Sequence, residues 1–383
     1  MTEKKIYFKG LNALRFFAAT AVIFHHIEQY KFWKGYDSIW GFEGWIGVTI
    51  DALGHKAVSF FFALSGFLIT YLLLAEIKKT STVALKKFYL RRVLRIWPLY
   101  YLVAVFALFI LPSITQFDKW EPMMQASMGL VTFLYLIILP NLLRVTSIQV
   151  VGANQAWSVG VEEQFYLIWP LLIKWFHKKM PQFLIAFIII KLGLEGVCNF
   201  MGSTEGSLAK YFGQLGTILR HMQIEQMAVG GLGAWWLFAG KPIVKTLYHP
   251  AIHYGAWLLF LSFFLVDYHF YGHTVFEGLI FLIIILNVST NAKFPLNLES
   301  PFLTWMGNIS YGIYMLHAIV IALLITWLED RNLSVLTFNL CLYLLAPLFT
   351  FLLASVSYKY FETFFLRFKE KFAVVKSDTH RKP

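Results

Sequence analysis

Charge is scarce in these 383 residues: 14% are charged, against 58% hydrophobic and 18% aromatic. A soluble domain carries about 25% charged residues, and here the apolar residues come in runs rather than in alternation, which excludes an ordinary soluble fold. Cysteine is scarcer still. Cys198 and Cys341 sit in or near apolar runs without metal-ligand spacing, so neither a disulfide framework nor a zinc site is indicated. No A-x-A-like cleavage site follows the first apolar run, so residue 1 is expected to stay in the mature chain. Repeats, low-complexity linkers and soluble appendages are also missing, and one membrane domain accounts for the chain.

What the sequence does have is about ten apolar runs, near 12–28, 56–75, 93–111, 157–176, 181–200, 220–239, 252–267, 274–290, 302–327 and 335–357. A bilayer core needs about 20 mostly apolar residues per helix. The expected fold is therefore all-α, a polytopic membrane bundle of about ten transmembrane helices over residues 1–358. A basic, partly amphipathic tail over 359–383 is expected to rest on the anionic inner leaflet. Net charge is +12, which in a soluble protein would suggest nucleic acid. The placement of the charges argues instead for membrane topology. With both termini cytoplasmic, 23 of the 33 lysines and arginines fall inside, Arg15 and Lys191 fall within spans, and eight fall in outer loops: Lys31, Lys34, Lys56, Lys119, Arg144, Lys210, Arg220 and Arg331. That count requires the 127–143 stretch to be re-entrant or superficial rather than a full span.

Ionisable groups inside these runs carry the chemistry, because each costs roughly 2.5–3.5 kcal/mol at the centre of a membrane helix. In LNALRFFAATAVIFHH (11–26), Arg15 and His26 are eleven residues apart, a rotation of about 1,100°. They share one helix face to within roughly 20°, some 16 Å apart along the axis, whereas His25 is about 80° away. A histidine here could simply bond a neighbouring carbonyl. It is also the side chain best able to accept and return a proton near neutral pH. In KKFYLRRVLRIWPLYY (86–101), Arg91, Arg92 and Arg95 run into the apolar segment, with Arg92 and Arg95 adjacent on one face. Topology and headgroup binding explain the lysines. The arginines offer planar forks suited to phosphate.

In NQAWSVGVEEQFYLIWP (154–170), Glu162 and Glu163 lie in an aromatic helix with Tyr166 one turn beyond Glu162. Such a carboxylate could orient a histidine or form an interhelical ion pair with Arg15. In WMGNISYGIYMLHAIVI (305–321), Ser310, Tyr314 and His317 line one face. Ser65 and Gly66 in FFFALSGFLI (60–69) are read mainly as packing residues.

In this order, the strings resemble the membrane acyltransferase-3 family, bacterial enzymes that acylate extracytoplasmic carbohydrates, over nearly the whole chain from LNALRFFAA to the YFE at 360–362. The family's arginine, ten residues, histidine motif matches Arg15 and His26 and leaves His25 as a neighbour. Its R-x-x-R matches Arg92 and Arg95. WSVGVEEQFY is similar to W-S-L-x-V-E-x-Q-F-Y, matching Trp157, Ser158 and Glu162. ISYGIYMLH is similar to I-S-Y-x-x-Y-L-x-H, matching Ser310, Tyr311, Tyr314 and His317. Ser59 stands where many members carry an acid, so no acidic role transfers there.

The resemblance implies acyl transfer across a bacterial inner membrane. Acetyl-CoA or another acyl-CoA would be the co-substrate, with no metal, and the acceptor a hydroxyl on a glycan or lipid-linked sugar. Arg15, Arg91, Arg92 and Arg95 would hold the donor's phosphates. His26 would act as general base or transient acyl carrier, with Glu162 orienting it and His25 beside it. Trp157, Ser158, Tyr311, Tyr314 and His317 would support the site or line its acceptor side. Some relatives carry a hydrolase-like extracytoplasmic domain. This chain stops short of one and is expected to transfer directly or to hand the acyl group to a separate extracytoplasmic protein. Besides the substrates, membrane lipids are expected partners and nucleic acid is not. The competing reading is a transporter for a polysaccharide or acylated intermediate, with the same polar residues lining its path.

Overall fold

The computed structural model describes residues 5–39, 45–115, 128–146, 148–263 and 270–375. Lys119 and the end of the tail, 376–383, lie outside the described residues. The first half of the chain forms α1 (Leu11–Lys34), α2 (Trp45–Thr80), α3 (Leu85–Val105), α4 (Leu111–Ile114), α5 (Met128–Leu136), α6 (Ala156–Phe176) and α7 (Met180–Gly202). The second half forms α8 (Ala209–Met222), α9 (Ile224–Phe238), α10 (Ile243–Leu247), α11 (Pro250–Ser262), α12 (His273–Thr290), α13 (Pro301–Asn308), α14 (Ser310–Glu329), α15 (Val335–Ser357) and α16 (Thr363–Glu370). A π-helical turn over Phe106–Ile110 joins α3 to α4, and a second over Tyr358–Glu362 joins α15 to α16.

Among the described residues, six stretches are long and apolar enough to cross a membrane: Ala52–Thr80, Leu85–Ile114, Ala156–Gly202, His273–Thr290, Ser310–Glu329 and Val335–Glu370. These hold seven of the ten apolar runs, because α6 and α7 follow each other across a short 3-10 turn at His177–Lys179. The other three runs are α1, which carries Arg15, Glu28, Lys31 and Lys34, and the shorter helices α9 and α11. The protein is thus a helical, multi-pass membrane protein. Large side chains at helical spacing on α15, among them Leu344, Leu348 and Leu352, face outward, a surface suited to hydrocarbon. In the 127–143 stretch, α5 has nine residues and spans about 14 Å, too short to cross a core of about 30 Å. A 3-10 turn over Pro140–Thr146 follows it.

The core is built around α1, which packs against α2, α13, α14 and α15. Helix α2 in turn packs against α9 and α12, and α3 against α6 and α16. The contact between α2 and α9 is at backbone distance. A Cβ on Gly66 would overlap the carbonyl oxygen of Met227, and one on Gly230 would overlap that of Ala63.

Of the eight charges expected in outer loops, Lys31, Lys34, Lys56, Lys210 and Arg220 lie in helices instead. Lys31 is not in an outer loop, because α1 continues to Lys34 and buries it completely. Its ammonium lies 2.6 Å from Glu28, hydrogen-bonds Asn339, and sits beside Tyr343, whose hydroxyl donates to Glu28 at 2.5 Å. Lys56 likewise belongs to α2, 2.5 Å from Glu277 on α12. Lys191, buried in α7, is answered by Glu195 at 2.6 Å and Glu225 at 2.9 Å. Each lysine holds its place in an apolar bundle because a carboxylate meets it.

Gly66→Val should push α2 and α9 apart at a cost of about 1–3 kcal/mol. Thermal melting in detergent should show a midpoint several degrees lower, whereas Gly255→Ala, which meets nothing within 4 Å, should leave it in place.

Candidate active site

A cavity of about 780 Å³ opens between α1, α2, α3, α6 and α14. That is within the usual range of roughly 300–1,000 Å³ for small-molecule sites. Its lining includes Arg15, Arg91, Arg92 and Arg95 toward one end and Ser158, Glu162 and Tyr314 deeper in. Tyr311 also lines it, with its hydroxyl donating to the Ile96 carbonyl at 2.8 Å. Residues 369–375, following or ending α16, contribute Lys369, Glu370, Ala373 and Val375 to the wall. They are held there by Arg91, which donates to the Phe372 carbonyl at 2.7 Å, and by Lys79, which donates to that of Val374 at 2.9 Å. The described part of the tail therefore folds back over α3.

The four arginines are not equivalent. Arg91 is 3.5 Å from the Glu76 carboxylate and is committed to Phe372. Arg15 has one long contact, 3.4 Å, to Asn12. Arg92 lies over the rings of Tyr166 and Phe88, at 5.1 and 5.4 Å, with its buried Nε lacking a hydrogen-bond partner. No carboxylate among the described residues forms an ion pair with Arg15, Arg92 or Arg95.

Glu162 receives the hydroxyl of Ser65 at 2.8 Å and that of Tyr166 at 2.9 Å. With both oxygens engaged, it makes no hydrogen bond to His26, so the expected carboxylate–histidine contact is not formed. Nor does it pair with Arg15. Ser65 is thereby more than a packing residue: a hydroxyl on α2 satisfies a half-buried carboxylate on α6. Glu163 points elsewhere and accepts from the Trp97 indole at 2.8 Å.

His26 and His317 face each other across α1 and α14, ring centroids 4.7 Å apart, beyond the end of the cavity. Each turns its Nδ1 to the carbonyl one turn back on its own helix, Val22 at 3.0 Å and Ile313 at 3.2 Å. When Nδ1 donates, Nε2 is left as the acceptor. The Nε2 of His317 is buried without a partner. Tyr314, whose ring is 6.0 Å from that of His317, links this pair to the cavity wall, because its hydroxyl bonds Ser158 at 2.6 Å and the Gln155 carbonyl at 3.1 Å. His25 packs against Gly54, with its ring 4.9 Å from His26 and 5.2 Å from His55. Trp157 carries the guanidinium of Arg144 over its ring at 4.5 Å.

Asn154, Gln155 and Tyr30 complete this end and were not singled out from sequence. The Tyr30 hydroxyl donates to Asn154 at 2.9 Å and accepts from the Gly152 amide at 2.7 Å, and Gln155 donates to the Met315 carbonyl at 2.6 Å. The polar pair Asn154-Gln155, one residue ahead of Trp157 in apolar surroundings, was the available signal. Among the described residues no group of three His, Cys, Asp or Glu side chains is placed to hold a metal ion.

Residues 8–359 match the family model described as an acyltransferase domain. The chain belongs to this family, acyltransferase-3. Its similar proteins include the peptidoglycan O-acetyltransferase OatA of Listeria monocytogenes, 28% identical over 93% of this chain and 55% of that protein. The O-acetyltransferase OatA of Staphylococcus aureus is 27% identical over 93% of this chain and 57% of its own length. A putative O-acetyltransferase of the same organism is 24% identical over 94% and 58%. The acyltransferase chain described here therefore spans a little over half the length of these relatives. No solved structure matches it.

Ser65→Ala removes one of two donors to the half-buried Glu162 and should cost about 1 kcal/mol of stability. Ser59, whose hydroxyl reaches Gln223 only at 3.4 Å, should lose less as Ser59→Ala. Melting midpoints of the two variants in detergent should fall in that order, and the reverse order would contradict the assignment.

Proposed function

We propose that the protein moves an acyl group, most simply acetyl, from a cytoplasmic acyl-CoA to a hydroxyl of an extracytoplasmic or lipid-linked carbohydrate. The membrane would be the bacterial inner membrane, with residues 78–95 on the cytoplasmic side. The observation that carries this reading is the lining of the cavity: among the described residues, Arg15, Arg92 and Arg95 stand in it without ion-pair partners, and a buried Nε on Arg92 has nothing to bond. Unanswered guanidinium forks in a low-dielectric pocket favour a ligand with phosphate groups. The apolar wall between them and Tyr314, which includes Val58, Phe61 and Phe62, suits a slender thioester arm.

The histidine pair lies where such an arm would end. His26 would take the proton of the acceptor hydroxyl as its oxygen bonds to the acyl carbon. The carbon–sulfur bond would break, and the proton would pass to the leaving thiolate. His317 would share that proton across the short gap. Glu162 would contribute negative charge beside Arg92 rather than direct contact with His26. The relatives' names supply the acetyl group and, for one of them, peptidoglycan as the acceptor. A separate extracytoplasmic transferase remains the expected partner if the acyl group is handed on.

Purified protein given radiolabelled acetyl-CoA and bacterial glycans should transfer label. Glycan flux independent of any thioester would instead support transport. Arg92→Ala or Arg95→Ala should weaken acetyl-CoA binding by roughly ten- to a hundred-fold, the worth of one charged hydrogen bond, and unchanged binding would refute the donor site. His26→Ala should bind acetyl-CoA as before yet transfer no label; normal transfer would remove His26 from the mechanism.

A further inference from the structure

Arg144 is a further guanidinium with no ion pair among the described residues, and it lies away from Arg15, Arg92 and Arg95. It sits in the 3-10 turn over Pro140–Thr146, outside the spanning helices, and lines neither the 780 Å³ cavity nor its small neighbour. Its guanidinium rests on the Trp157 ring at 4.5 Å, its Nε is buried without a hydrogen bond, and no carboxylate among the described residues pairs with it. Burial pushes its pKa down from the usual guanidinium value, which marks the cost of holding the charge there. A cation–π contact returns less free energy than desolvating a cation takes.

Its position ties it to the reacting groups. Trp157 precedes Ser158, whose hydroxyl bonds Tyr314 at 2.6 Å, and the Tyr314 ring is 6.0 Å from His317, which faces His26. Arg144 therefore lies at the histidine end of the site. Arg15 is roughly 16 Å away along α1 from His26, at the other end. The titratable groups within reach of the Arg144 charge are His26, His221 and Tyr314. Among the described residues, no carboxylate is paired with Arg144 at the histidine end.

We propose that Arg144, held on the face of Trp157, binds an oxyanion of the acceptor, so that the acceptor is an anionic glycan: a sugar carboxylate or the phosphate of its lipid carrier. This rests on the acyl-transfer reading above. A planar fork docked on an indole is preorganised for bidentate oxyanion binding, which a lysine would not supply. The anion would set the sugar in register, leaving its hydroxyl to meet the histidine pair.

Two matched acceptor pairs test this with the intact protein in detergent: a muramic-acid disaccharide against its carboxyl-amidated form, and a prenyl-diphosphate sugar against its neutral prenyl glycoside. Wild-type protein should prefer the charged member of at least one pair by roughly ten- to a hundred-fold in kcat/KM. Arg144→Gln should bring that ratio near one through KM, and Arg144→Lys should recover only part of it. A ratio lost for the disaccharide pair assigns the sugar carboxylate; one lost for the prenyl pair assigns the carrier phosphate. Equal ratios in wild type and Arg144→Gln for both pairs would overturn the proposal. Acetyl-CoA binding by Arg144→Gln reports that the variant is folded. Should no acceptor take label from wild-type protein, the acyl-transfer reading fails. Calorimetric binding of the same four compounds then decides the oxyanion site separately, with charge-selective binding lost in Arg144→Gln supporting it and retained binding refuting it.

Discussion

A cation inside an apolar bundle must be answered by something, because desolvation costs several kcal/mol that packing alone does not return. This structure answers its buried lysines internally. Lys31 has Glu28 and Asn339, Lys56 has Glu277, and Lys191 has Glu195 and Glu225. Among the described residues it pairs no carboxylate with several arginines: Arg15, Arg92 and Arg95 around one cavity, and Arg144 near the histidine pair. The division by residue type follows from chemistry. An ammonium is a compact charge that one carboxylate can satisfy, whereas a guanidinium keeps spare donors in a fixed fork and rests comfortably on aromatic rings such as Tyr166, Phe88 and Trp157. Closed pairs hold helices together, and open forks keep donors free for the ligands proposed above.

Between the two groups of arginines, Tyr314 is the joint. Its hydroxyl is tied to Ser158 and to the Gln155 carbonyl, so the tyrosine is fixed in the wall of the cavity while its ring reaches toward His317. Glu162 occupies a parallel position lower in the wall, locked by Ser65 and Tyr166. Each of these side chains is held by hydrogen bonds from at least two directions, as a preorganised site requires.

Much of this was legible in the sequence. The helical phase of Arg15 and His26, the crowding of Arg92 and Arg95, and the face shared by Tyr314 and His317 are all local properties of single helices. Local periodicity captures them. The partnerships between helices were not legible. Ser65 and Glu162 are 97 residues apart, Tyr30 and Asn154 are 124 apart, and nothing in either segment announces the other. For the same reason the expected bond from Glu162 to His26 did not form: a carboxylate takes the donors that packing brings nearest, here a serine that looked like a spacer. Arg144 was visible only as an outer-loop charge, because its significance lies in the missing carboxylate, and an absent partner has no sequence signature.

The contact between α2 and α9 has a mechanical consequence. With Gly66 against the Met227 carbonyl and Gly230 against that of Ala63, the two helices meet backbone to backbone at two points, with no side chain between them there to change rotamer. Packing of this kind cannot slide by fractions of a turn without steric overlap. The pair therefore works as a stator. Whatever opening admits a ligand to the cavity must come from its other walls, above all the segment after α16, which two basic side chains hold by its carbonyls.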